Sequence, residues 1–174
     1  MRLRFFLMAC TCLLIMTAYA SSADTSAPIT TQVQVKGLVK HPFACTLKNV
    51  HLLKPETHTN LNIVGAKGEI KKVFRSFKGV SLKNILDSAG VDMPNPKEKG
   101  KYYITIKASD GYTVLYSWND IYNNPTGDHV FLVFSVNDQP VQKDGQFVMV
   151  CTNDKITGPR HVKWVESIEV AKLP

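Results

Sequence analysis

The chain has 174 residues, with 21 Lys and Arg against 14 Asp and Glu and a formal net charge of +7. That length fits one domain behind a short leader. The lysines are scattered (Lys36, Lys40, Lys48, Lys54, Lys67) rather than aligned on one helix, which argues against a nucleic-acid interface and leaves a solvated basic surface or a pocket for an anion.

The first residues read as a secretory signal. Arg2 and Arg4 form a basic start, 5–17 is apolar, and Ala18-Tyr19-Ala20 is a small-x-small cleavage pattern. A membrane-spanning helix needs about 20 apolar residues, and this run is shorter. Lipid modification at Cys10 is the rival reading, but the apolar run before Cys10 is too short for it. Cleavage after Ala20 leaves about 150 residues, near the modal domain size. It also removes Arg2 and Arg4, leaving 19 basic against 14 acidic side chains, or +5. The expected location is the periplasm.

Residues 21–30 are small and polar and read as a flexible leader. The domain is expected over 31–174. Alternation of Val33, Val35 and Leu38 predicts a strand over 31–39, and 61–64 predicts a short one. Ser81 is a good N-cap. Leu82, Ile85, Leu86 and Ala89 follow at helical spacing, and Gly90 is placed to close the helix. Strands follow at 102–106, 113–118, 130–136, 147–151 and 162–170. Asp110-Gly111 is a hairpin turn signal between the first two of these. Many short strands with one convincing helix predict an α+β domain, mostly β.

Cys45 and Cys151 are the cysteines left after cleavage. An even pair in an oxidising compartment fits a disulfide between them; two separate buried thiols fit equally. Their spacing does not suit a zinc ribbon, a c-type haem or a thioredoxin-like site.

Three segments carry candidate chemistry. In 65–77, glycines follow a strand among charges: Gly65, Ala66, Lys67, Gly68, Glu69, then Arg75. Backbone amides there can approach an anion, with Lys67 or Arg75 as its partner. In 109–118, Asp110, Tyr112, Tyr116 and Trp118 offer a carboxylate and rings for a flat heterocycle. In 158–164, Arg160, His161 and Lys163 stand beside Trp164 at the start of a strand, a pattern that suits a phosphate or carboxylate. Regular alternation would send Arg160, Val162 and Trp164 to one face and His161 and Lys163 to the other. Taken singly, each segment also reads as a solvated turn or edge strand.

Taken together, the segments resemble the sulfite-oxidase-type molybdopterin-binding domain. Phe77-Lys78-Gly79-Val80-Ser81-Leu82 is similar to its W-x-G-V-x-L helix start. Ala108-Ser109-Asp110-Gly111-Tyr112 is similar to its A-x-D-G-Y hairpin. Asp138-Gln139-Pro140 with Asp144-Gly145 resembles a further turn of the family. Gly158-Pro159-Arg160-His161-Val162-Lys163-Trp164 closely resembles its G-A-R-x-V-K-W-L motif. The resemblance implies that fold, with Arg160, His161 and Lys163, and also Asp110 and Tyr112, as ligand contacts. Glu69, Arg75 and Trp118 complete the expected set.

The departure from the family lies at its metal. Family enzymes carry a molybdenum-binding cysteine in the loop after the strand matching 61–64, and here that loop has none. The pattern resembles small exported members of this fold that bind tetrahydropterins and report to a membrane enzyme of cyclic-di-GMP metabolism. The expectation is therefore a periplasmic sensor of a reduced pterin, not an enzyme, with no catalytic cofactor and no metal. The alternative is a molybdopterin-dependent oxidoreductase or an accessory subunit of one.

Overall fold

The computed structural model describes residues 29–174. The expected signal at 1–20, and the expected leader up to residue 28, lie outside the described residues. Two five-stranded sheets make the body. The first runs in space as β2 (Phe43–Thr46), β1 (Gln32–Gly37), β10 (Val165–Lys172), β5 (Tyr102–Ala108) and β6 (Thr113–Ser117). Only β1 and β10 run parallel in it. The second is antiparallel: β3 (Glu56–Val64), β4 (Ile70–Ser81), β7 (Val130–Val136) and β8 (Gln139–Pro140), with β9 (Val148–Cys151) also paired to β7. This is the α+β, mostly β class expected from the sequence.

Helix α1 (Leu82–Ala89) forms as its spacing demands. The Ser81 side chain accepts from Asn84 N at 3.2 Å, and Gly90 closes the last turn at φ 63°. Leu82, Ile85, Leu86 and Ala89 are fully buried. Burying each of the larger three is worth about 1.5–3 kcal/mol. They join the larger core, with Ile104, Ile106 and Ile168 of the first sheet. A second core gathers Phe74, Phe77 and Phe131 on the second sheet.

Three sequence expectations change, and one open alternative is decided. Residues 65–77, read as a loop, are mostly the start of β4, a 12-residue strand. Its first four residues are exposed, so no buried face signals it. Arg75 N and Ser76 N both donate to Asn137 Oδ1, at 2.8 and 3.3 Å. Phe74 and Phe77, three apart, both reach the second core; on the paired strand, between the partners of Phe74 and Ser76, Asn60 is left-handed at φ 61°. Trp118 does not end β6. Ser117 and Asp120 form a capping box, and Trp118 begins the short helix α2 (Trp118–Tyr122). The last strand begins at Val165 rather than 162: Gly158–Arg160 is a 3-10 turn, Val162 only bridges Met149, and Trp164 is left-handed. Finally, Cys45 and Cys151 are free. Cys45 pairs with Val33 at the edge of the first sheet, and Cys151 pairs with Val130 in the second. The two thiols belong to different sheets, and both are buried in the larger core without a bond between them.

Candidate ligand-binding cleft

The turn between β3 and β4, the β5–β6 hairpin and the stretch before β10 converge on one cleft of about 490 Å³. Its walls include Gly65 and Ala66 from the first, Tyr112 from the second, and Gly158, Pro159, His161 and Lys163 from the third. Two contacts draw the third segment onto the others. The Thr157 hydroxyl accepts from Val64 N and donates to Asn62 O, both at 2.7 Å. It thus completes the outer edge of β3, which has no strand beside it among the described residues. The Tyr112 hydroxyl donates to Pro159 O at 2.6 Å. Gly158 is required by the close approach, since a Cβ there would lie 2.7 Å from Val64 O.

Trp164 holds the far end in a left-handed conformation, φ 48°, which is rare for a bulky residue. Such strain persists where the surroundings over-determine it. Here Trp164 N donates to Asp144 O at 2.6 Å, its indole donates to Lys143 O at 3.1 Å, and its own carbonyl accepts from Ser109 N at 3.0 Å. The kink fixes Lys163 against Asp144.

Every lysine on the cleft wall has a carboxylate partner. Lys72 donates to Asp144 Oδ2 at 2.8 Å, and Lys163 lies 3.0 Å from Asp144 Oδ1. Lys71 lies 3.4 Å from Glu69 Oε1. Asp144 is only 9% exposed. Desolvation pushes its carboxyl up, but the hydrogen bonds and charges of Lys72 and Lys163 together outweigh this and hold it below the usual carboxylate range. Burial pushes the pKa of His161 down from 6.5 to about 4, with Asp144 opposing and both lysines assisting. Its ring is therefore neutral at pH 7. Its Nε2 is buried without a hydrogen-bond partner among the described residues, and its ring meets Phe74 edge-on at 5.8 Å. A second cleft of about 300 Å³ adjoins across Lys72, walled by Phe74, Val136, Pro140, Val141 and Asp144.

Of the residues expected from sequence, the structure brings Tyr112, His161 and Lys163 together. The other five are off the wall. Glu69 borders it through Lys71 and accepts from Lys67 N at 3.1 Å. Arg75 is exposed further along β4. Asp110 closes its own turn, its Oδ1 accepting from Tyr112 N at 2.9 Å. Trp118 stacks on Tyr122, with ring centroids 3.9 Å apart. Arg160 turns inward to pair with Asp154 and to lie over the Tyr116 ring at 4.8 Å. The 3-10 turn explains the split: regular alternation never applies to Arg160. Asp144, Lys72 and Thr157 were not foreseen. Lys72 sits inside the charged run already singled out, and Asp144 inside a turn motif; their pairing joins positions 72 residues apart.

A profile of the oxidoreductase molybdopterin binding domain matches residues 21–174. The chain belongs to this family. Among solved structures, it is similar to the sulfane dehydrogenase SoxCD from Paracoccus pantotrophus, with a TM-score of 0.56 and 19% identity. The match covers 80% of this chain but only 37% of that one, and it bears on the fold alone. Comparison with curated proteins gave no match.

The family implies a molybdopterin, and the cleft fits its two parts unequally. A flat polar heterocycle suits the volume and the lining. A thiolate-bound metal does not. The β3–β4 turn has no cysteine, and a Cβ on Gly65 would fall 2.2 Å from Glu69 Oε1 and 2.4 Å from Lys71 Cε. The Glu69–Lys71 pair fills the space that a side chain there would need. Burial pushes both Cys45 and Cys151 up to about 11, so neither offers a thiolate at neutral pH. Among the described residues, no three His, Cys, Asp or Glu side chains converge as a metal site.

Proposed function

We propose that this chain is an exported, non-catalytic member of the oxidoreductase molybdopterin binding domain family that holds a reduced pterin of the tetrahydropterin type. In this reading it reports occupancy to the periplasmic region of a membrane signalling protein, such as a cyclic-di-GMP enzyme. The observation that carries the reading is a cleft built from the family's own segments, in which a glycine beneath an ion pair stands in the loop that would supply the metal ligand. A pterin needs a flat contact and polar groups along its edge. Tyr112 offers the ring, and the lysine ammoniums and neutral His161 offer the polar groups. Among the described residues, no helix is long and apolar enough to cross a membrane.

The second reading is a molybdopterin-dependent oxidoreductase or an accessory subunit, and family membership itself favours it. Titration with tetrahydropterin under anaerobic conditions tests the first. Lys163→Ala and Tyr112→Ala should each weaken binding at least about tenfold. Trp118→Ala should leave it unchanged, because that ring stacks on Tyr122 away from the cleft wall. Absence of binding to the wild-type chain would sink the reading.

A further inference from the structure

We propose that Asp144 makes the cleft select phosphate-free pterins over phosphorylated ones, an inference that rests on the pterin reading. A cleft lined by Lys71, Lys72 and Lys163 looks like an anion hole. Its geometry says otherwise. Lys72 comes from β4 and Lys163 from the kinked segment before β10, and each bonds a different oxygen of the same carboxylate. Asp144 sits at the boundary between the main cleft and the adjoining one, where Lys72 lines both. Its side chain is 12% exposed.

A phosphate entering at this boundary either takes the lysines from Asp144 or shares them with it, and in both cases it sets a second negative charge beside that carboxylate. Like charges close together in a partly desolvated site repel strongly. An uncharged polyol or amide accepts from the remaining ammonium protons without bringing a negative charge to Asp144. The Glu69–Lys71 pair is exposed on both sides and is screened by solvent, so it discriminates weakly. Lys143, on the wall of the adjoining cleft, attracts anions without removing the carboxylate from their path. Asp144 is therefore a built-in occupant of the anion position.

The test compares dihydroneopterin, dihydroneopterin monophosphate and inorganic phosphate by calorimetry on the wild-type chain and on Asp144→Asn. The wild type should bind the phosphate-free compound at least about tenfold tighter, which is 1.4 kcal/mol. Asp144→Asn should shrink that ratio at least about tenfold and bind inorganic phosphate more tightly than the wild type. Equal or tighter binding of the phosphorylated compound by the wild type overturns the proposal without any variant. A ratio unmoved by Asp144→Asn also overturns it. If neither pterin binds, the pterin reading fails; the inorganic phosphate arm then decides alone, and equal affinity of both chains overturns the role of Asp144. Should Asp144→Asn fail to fold, Lys163→Gln replaces it. Leaving Asp144 with one lysine should widen the wild-type ratio, and a narrower ratio counts against the proposal.

Discussion

Thr157→Val is expected to destabilise the protein by about 2–4 kcal/mol. The exchange keeps the shape and removes one hydroxyl. That hydroxyl is 4% exposed as part of its residue and serves two backbone groups of β3, Val64 N and Asn62 O. Neither group has a strand to turn to, since β3 is the edge of its sheet. A methyl in that place leaves a donor and an acceptor covered and unbonded, and each such loss costs about 1–3 kcal/mol. Thr157→Ser keeps the hydroxyl and should cost under about 1 kcal/mol. The same bonds bring Gly158, Pro159 and His161 to the cleft, so Thr157→Val should also weaken ligand binding. Urea unfolding of the three chains reads the first effect directly. A Thr157→Val chain as stable as wild type would show that the hydroxyl does not hold the segment.

Acid should reveal His161. The fold holds its ring neutral down to about pH 4, whereas the unfolded chain protonates it near 6.5. Between these values the unfolded state binds the extra proton. Stability is thus fully present above pH 6.5 and falls as the pH drops toward 4, after which this contribution is flat. The difference in pKa corresponds to roughly 3 kcal/mol. The charged groups coupled to the ring are Asp144, Lys72 and Lys163, and burial outweighs all of them. His161→Gln removes the titration, so the wild-type and variant stability curves should diverge across that window. Denaturant unfolding at pH 7, 5.5 and 4 measures it. Parallel curves for the two chains would mean that the imidazole is solvated and titrates normally.

Much of the fold was legible because its signals are local. Ser81, the 3–4 spacing of Leu82, Ile85, Leu86 and Ala89, and Gly90 together specify α1 without help from the rest of the chain. The run 130–136 is buried along most of its length and was readable as a strand from composition. β4 is not readable, because its first four residues are all exposed and carry no alternation, and Phe74 and Phe77 are three apart on one core. In the cleft, Tyr112, His161 and Lys163 were accessible through motifs. Arg160 was misplaced because a 3-10 turn, not a strand, carries it. Asp144 and Thr157 escaped notice for a shared reason. Each acts through a partner 72 to 95 residues away, and no local pattern announces such a bond.

The proposed function rests on a pterin cleft without its metal ligand. Purification of the chain under anaerobic conditions, followed by mass spectrometry of the released small molecules and molybdenum quantification on the same sample, tests it. The expected result is a reduced pterin without dithiolene-bound metal and molybdenum far below one atom per chain. Stoichiometric molybdenum would contradict it and return the chain to the oxidoreductases of its family.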